Sequence, residues 1–563
     1  DIERVSTRKV RSFDEGQLEL QPHNAVAAAH NDVESEPAGS NGIAISGKLT
    51  ESGNPILLIN PHTSFFFRGE VHAVSEEGLN AYGAVTWGQF FIYQGFNEKT
   101  GWMHTSTYTD VIDEFEEDIM DLNDKLVYKY GDEYRTVESR PIILKYVEND
   151  TLKEREFTIH KTHHGPITHS NNGKWVSTAM MWEPSKALEQ SFVRTKQSDY
   201  DGFRKMMDIR TNSSNNTVYA DNSGNIAYFH GNFIPKRNES FNYSEAVDGS
   251  NPETDWQGLH TVDESITLLN PENGWIQNCN STPYTAAAQF SPKKEDYPNY
   301  MSIDRENFRG VHAIDLLHNT TDFTVENVIE LAHDPYLPAF AELIPGLVKA
   351  YDAYPSEFSN LKDPIEELRQ WDFKTSKSSV AMTLAHYYGT HYLRHGKRPS
   401  QLNAMDLMHY FGNKSNTKER LTLFNEVISK LEEYFGTWNL PWGDVNRYQR
   451  LNGDIYQKFD DNKPSIPIGF ASGRWGALAA YGVSYSNNTK KIYGTRGNSF
   501  VAVVEFGDKV NAKSILAGGQ SGNPESPHFD DQIEHYANAE FKDVLFYKED
   551  VIKHNIRTYH PGN

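Results

Sequence analysis

The chain has 563 residues, and its 54 Lys and Arg against 77 Asp and Glu give a formal net charge of −23, which argues against a protein that tracks nucleic-acid phosphates. With 37% hydrophobic and 12% aromatic residues it carries enough apolar material for large cores, while 39 Gly and 25 Pro exclude a disordered or fibrous composition. A single cysteine, Cys279, excludes an intrachain disulfide and a thiolate zinc cluster.

Residues 1–39 are charged and Ala-rich, end in Glu34-Ser35-Glu36-Pro37-Ala38-Gly39 and read as linker. They open without a basic-then-apolar leader or an initiator Met, so a segment is expected upstream. From Ser40 the pattern changes: Ile43 and Ile45 alternate, Glu51-Ser52-Gly53-Asn54 signals a turn, and Pro55 to Asn60 is a short buried-strand run. Further strands are predicted at Phe90 to Tyr93, Lys125 to Tyr128, Pro141 to Tyr146 and Glu156 to Ile159, with a hairpin about Asp221-Asn222-Ser223-Gly224. The period then lengthens. Thr324 caps a predicted helix carrying Val325, Val328, Ile329 and Ala332; Asp363-Pro364 starts another; a third runs through Phe424, Val427, Ile428, Leu431 and Phe435 to Gly436. Strand signals return, strongest over Phe500 to Phe506. No run approaches the ~18 apolar residues of a membrane span. This order implies an α+β body: a linker over 1–39, a sheet-rich core over 40–312, a mainly helical excursion over 313–436, and a return to the core over 437–563.

A hairpin tip at Ser52-Gly53 would set Ser40 opposite about Phe65, with His62 three residues off register, roughly 10 Å at ~3.3 Å per residue. Ser40 and His62 therefore share one end of the hairpin. A serine opening a buried strand, after a linker and a glycine, is what a self-cleaving precursor needs. Its hydroxyl attacks the Gly39 carbonyl, and hydrolysis leaves Ser40 as an amino terminus whose amine, titrating near ~7.7–8, accepts the hydroxyl proton. The same residue also suits a loop or cap serine.

Longer blocks add to this. Gly39-Ser40-Asn41-Gly42-Ile43-Ala44-Ile45-Ser46-Gly47 with Asn60-Pro61-His62, Gly101-Trp102-Met103-His104-Thr105, Tyr219-Ala220-Asp221, Gly274-Trp275-Ile276-Gln277-Asn278-Cys279-Asn280-Ser281 and Ser526-Pro527-His528-Phe529-Asp530-Asp531 stand in family order. Over about residues 39–545 the chain resembles the β chain of the penicillin acylase family, N-terminal-nucleophile hydrolases that include acyl-homoserine-lactone acylases. The resemblance implies an αββα sandwich of two antiparallel sheets, cleavage between Gly39 and Ser40, and an amidohydrolase working through an acyl-Ser40 ester on a penicillin, an acyl-homoserine lactone or an acylated amino acid. It implies Ser40 as nucleophile, His62 beside it, an oxyanion hole from the Asn280 side chain and the Ser106 backbone N–H, and Arg309 supporting Asn280. His62 also suits a strand-end histidine packed on Phe65 to Phe67, and Arg309 a surface ion pair.

Asp110 and Asp113 match aspartates that hold a structural calcium in some members, although this acid-rich stretch also suits a solvated face; no cofactor is implied for catalysis. The matching pocket positions, Thr63, Gln94, His104 and Asn215, are polar, which implies an acyl group that is short or bears polar groups. The resemblance further implies an α chain cut from the same precursor, with the β portion holding 563 − 39 = 524 residues, and export to the periplasm or beyond. Two other readings stay open: a catalytically silent, unprocessed relative acting as a binding or surface protein, and a metalloenzyme built on His528-Phe529-Asp530-Asp531 and Glu534-His535.

Overall fold

A computed structural model describes residues 39–560 apart from Phe67, Gln401, Ser486 and Asn487; the linker reading of residues 1–38 lies outside these. The first sheet is built around β1 (Gly39–Ile45) and β2 (Ile56–Ser64), and the second begins with β3 (Arg68–Ser75), β4 (Leu79–Thr86), β5 (Gln94–Asn97) and β6 (Thr100–Ser106). Strands β7 (Asn215–Asp221), β8 (Ile226–Phe229) and β9 (Thr267–Leu269) complete the second sheet, in the order β9-β8-β7-β6-β5-β4-β3. The chain then returns to the first sheet through β10 (Trp275–Asn278), β11 (Ile492–Asn498), β12 (Phe500–Phe506) and β13 (Val510–Leu516). β1 lies between β2 and β10, both antiparallel to it.

The two-residue side-chain period explains the layers. Ile43, Ile45, Ile56 and Leu58 leave the first sheet on one face and pack on Ala313, Leu317, Val325 and Val328, which belong to helices. Ala44, Leu57 and Ile59 leave on the other face and meet Met103, Val218 and Ile226 of the second sheet. The outer face of that sheet, with Trp102, Tyr219 and Phe229, is covered by Phe203, Met206 and Met207. Helix, sheet, sheet and helix follow in order, the sandwich the resemblance implied. Gly42 permits the close approach, since a Cβ there would lie 2.9 Å from Met103 Cγ and 3.0 Å from Val218 Cγ2.

Helices α2 (Phe308–His318) and α3 (Val325–Ala332) supply the cover on the first sheet, and α1 (Pro184–Arg194) adds Val193 to the cover on the second. Thr324 caps α3 in a full capping box with Asn327, and the helix Thr417–Phe435 ends at Gly436 with φ 84°, both as the sequence indicates. Three expectations are corrected. The hairpin pairs Ser40 with Pro61 and Gly39 with His62, because residues Gly47–Leu49 form a 3-10 turn that lengthens the connection; His62 is thus directly across from Gly39. The strand expected at Phe90 to Tyr93 begins instead at Gln94. Asp363-Pro364 falls inside a first turn begun at Lys362, after a 3-10 turn over Ser359–Leu361, rather than capping the helix.

Candidate active site

Ser40 is 4% exposed and is the second residue of β1, between β2 and β10. Its hydroxyl donates to Gly39 O at 2.6 Å, so Oγ rests against the carbonyl group it would attack. Its backbone N–H donates to Asn280 Oδ1 at 2.7 Å. Gly39 has no room for a side chain: a Cβ would stand 2.8 Å from Arg309 Nη2 and 3.1 Å from His62 Nδ1.

Asn280 follows β10 with φ 60°, a left-handed conformation that asparagine tolerates better than most residues. Its N–H donates to Asn278 Oδ1 at 3.1 Å, and its Nδ2 donates to Ser106 O at 2.8 Å. An amide nitrogen carries two hydrogens, so one remains beyond the bond to Ser106. Ser106 ends β6. The N–H of Thr107 donates to Ser214 O at 3.0 Å, and because successive strand residues point their N–H groups to opposite sides, the Ser106 N–H faces the Asn280 side together with its carbonyl.

Arg309 sits in the first turn of α2, whose N-cap Asn307 accepts from the N–H groups of Arg309 and Gly310. The cap aims the guanidinium at the serine: Nη1 donates to Ser40 O at 2.9 Å and Asn41 Oδ1 at 2.8 Å, and Nη2 donates to Asn280 Oδ1 at 3.0 Å. That last bond fixes which end of the Asn280 amide faces Ser40. Burial, with the charges of Arg309 and Arg496 nearby, holds His62 well below the ordinary histidine range, so it is neutral at pH 7. Of the alternatives left open by sequence, Arg309 is buried and bonded within the site rather than surface-paired, and His62 lies beside Gly39.

The polar positions Thr63, His104 and Asn215 gather around Ser106 and His62 with residues the sequence did not single out. Asn215 pairs with Ser106 across β7 and β6 and its Nδ2 donates to Tyr93 Oη at 2.8 Å. His104 Nε2 accepts from Arg194 Nη1, and Thr63 Oγ1 accepts from Arg68 Nη2 at 3.0 Å. Gln94 is buried. A groove of about 2100 Å³ reaches Asn280 and Arg309 from the other side, between Tyr108, Ser214 and Tyr243 and the helical segment at Leu402 and Met405.

Asp110 and Asp113 both lie beside Arg237. Both oxygens of Asp113 accept from Arg237, at 2.8 Å to Nε and 2.8 Å to Nη2, and Asp110 lies 3.7 Å from the same guanidinium. His528 pairs with Asp531 at 2.8 Å and His535 separately with Glu540 at 2.8 Å, both exposed, so the suggested metal centre does not assemble. Burial pushes the Cys279 thiol up to about 12, which leaves it a core residue.

Among the described residues no helix is long and apolar enough to cross a membrane. Comparison with known proteins places this geometry in context. The sequence profile described as penicillin amidase matches residues 3–553. Penicillin acylase 2 proenzyme of Pseudomonas sp. (strain SE83) is 22% identical over 559 residues, 90% of this chain and 67% of that protein. Acyl-homoserine lactone acylase PvdQ of Pseudomonas syringae pv. tomato is 22% identical over 97% of this chain and 74% of its own length. The solved thermostable penicillin G acylase from Alcaligenes faecalis superposes with a TM-score of 0.63 at 18% identity, covering 92% of this chain and 98% of that one.

Proposed function

The chain belongs to the penicillin amidase family, and on that premise we propose that this hydrolase of amide bonds is an autoprocessed acylase whose nucleophile is the amino-terminal Ser40. The observation that carries the reading is the convergence on Ser40 of Asn280 and Arg309, 240 and 269 residues away in sequence, and of His62 across the sheet from Gly39.

Maturation begins when Ser40 Oγ attacks the Gly39 carbonyl carbon. The Oγ–C bond forms, the C–N bond breaks, and the hydroxyl proton passes to nitrogen, leaving an ester. Water then hydrolyses the ester, giving a Gly39 carboxylate and a free amine at Ser40. In turnover that amine takes the Oγ proton as Oγ attacks the substrate carbonyl. The negative charge that develops on the carbonyl oxygen is met by the second hydrogen of Asn280 Nδ2 and by the Ser106 N–H, both held before reaction. Collapse expels the amine leaving group, which receives the proton, and water releases the acid from acyl-Ser40. Arg309 is a positioning residue: it orients Asn280 and is bonded to the Ser40 carbonyl. His62, neutral and buried, packs against the bond to be cut.

The α chain would come from the same precursor, upstream of Gly39. Export to the periplasm or outside the cell and a role on an antibiotic or a quorum signal rest on kinship only. The polar positions about Ser106 support an acyl group that is short or bears polar groups. Mass spectrometry of the full gene product tests the core of the reading: a chain starting Ser40-Asn41 with turnover of acylated amides is expected, and Ser40→Ala is expected to abolish both. Continued maturation and turnover in Ser40→Ala would overturn it, and an intact, inactive wild-type precursor would favour the silent relative. A panel of penicillins, acyl-homoserine lactones and acylated amino acids then sorts the amine side.

A further inference from the structure

Among the described residues, three groups able to ligate a metal meet at one place: His163, His164 and Asp255, whose ligand atoms all lie within 4.8 Å of one another. The two histidines come soon after the strand Thr151–Lys161, and Asp255 closes the 3-10 turn Pro252–Thr254. His164 Nε2 is 2.9 Å and His163 Nε2 is 3.4 Å from the same oxygen, Asp255 Oδ1. A tetrahedral zinc ion with bonds of ~2.0–2.2 Å keeps its ligand atoms about 3.3 Å apart, so both separations are close to what such an ion needs.

Each of the three groups is already held through its other end. His164 Nδ1 meets Glu117 Oε1 at 2.8 Å, and that buried oxygen also accepts from Thr162 Oγ1 at 2.7 Å and Ser177 Oγ at 2.6 Å. A carboxylate only accepts, so it takes the imidazole hydrogen on Nδ1 and turns the Nε2 lone pair toward Asp255. Phe115 stacks on the same ring, centroids 3.9 Å apart and planes 7° from parallel. His163 Nδ1 meets Tyr128 Oη at 3.0 Å, and Asp255 Oδ2 accepts from Tyr130 Oη at 2.5 Å. Two imidazoles fixed through their far nitrogens, with both near nitrogens fanned about one carboxylate oxygen, is coordination geometry. Without an ion, a second proton on His164 bridges one of the two contacts; a cation joins both. The side chains of His163 and Asp255 are partly open to solvent while that of His164 is buried, which leaves an entry path and room for water.

We infer that His163 Nε2, His164 Nε2 and Asp255 Oδ1 bind one zinc-class divalent ion, with Glu117 and Tyr128 orienting the imidazoles and water as the fourth ligand. Two imidazoles and one carboxylate suit zinc, whereas calcium and magnesium favour oxygen throughout. The hairpin of Glu138–Glu148 and Thr151–Lys161 is a two-stranded sheet of its own, exposed along most of its length, and such a hairpin is marginal in water. The ion fastens its base to Asp255.

The test is calorimetric titration of the full-length protein, first stripped with a chelator, with zinc chloride. One equivalent per chain is expected, with a dissociation constant of about 1 µM or tighter. His163→Ala and Asp255→Asn are each expected to weaken it at least ~tenfold, and Glu117→Gln, which loosens the hold on His164, by about tenfold. His163 lies in an exposed loop, so His163→Ala is expected to keep the parent's circular dichroism spectrum and separate lost binding from lost folding. His528→Ala, at the exposed pair with Asp531, is expected to leave the affinity unchanged. No saturable zinc binding by the parent overturns the inference, as does equal affinity in the parent, His163→Ala and Asp255→Asn. None of these readouts uses turnover, so the ion site and the Ser40 reading stand or fall separately.

Discussion

Asn280 is fixed by three neighbours, and each removes a different freedom. Asn278 holds its backbone, Ser106 O takes one side-chain hydrogen, and Arg309 decides which end of the amide faces Ser40. Replacing it with alanine is expected to lower kcat about 10²–10³-fold with little change in KM, measured on correctly processed protein. Gly39→Val should slow scission at least tenfold by thrusting a side chain against Arg309 and His62, read as accumulated precursor on a gel. The pH profile of the mature enzyme is expected to show kcat/KM rising through the titration of an amine near ~7.7–8, with no limb from His62, whose burial keeps it neutral throughout. That Ser40, His62, Ser106, Asn280 and Arg309 come together in one place was legible because each stands in a recognisable block. The burial of Arg68 and Arg194 was not, because the groups they bond, Thr63 Oγ1, Tyr93 O and His104, come from other strands and segments and leave no local pattern.

The elements that carry these residues were legible where one physical signal dominated. The alternation through Ile43 and Ile45, the Thr324 cap and the terminal Gly436 all led to the elements found. The hairpin register did not follow from turn residues alone, because a 3-10 turn inserted chain that a tight-turn count cannot anticipate. Helix α1 was missed: its exposed, weakly apolar Pro184–Arg194 stretch buries only Gln190 and Arg194, so no apolar stripe advertises it. Helix α2 offers a prediction at this scale. Its cap Asn307 sets the turn that aims Arg309, so Asn307→Ala is expected to cost about 1 kcal/mol of stability in urea melts and to lower kcat as well, while Asn307→Asp, which keeps the acceptor, restores both.

Across the whole molecule the outline was readable because two sheets and their covering helices each need an apolar face, and those faces leave a period in the sequence. The groove of about 2100 Å³ was not, since it lies between segments distant in the chain. Buried histidines set the acid limit. His62, His104, His230, His333 and His386 are all shifted below the ordinary value, His230 to about 4 and His386 to about 3, by burial first of all. Below about pH 6.5 the unfolded chain therefore binds protons that the native one refuses, and stability should fall by up to about 1.4 kcal/mol per pH unit for each such group. His164, shifted upward beside Glu117 and Asp255, acts in the opposite sense above that range: it adds stability as pH falls from its raised value to about 6.5 and contributes no slope below. Urea melts at pH 7.5, 6 and 5 check the slope. The strand holding Ser40 pairs with β2 on one side and β10 on the other, and β2 in turn pairs with β11 and β12, more than 440 positions after the serine. On the proposed reading, a chain still emerging from the ribosome lacks the late neighbours of β2, so scission at Gly39-Ser40 is expected to wait until that segment has joined the sheet.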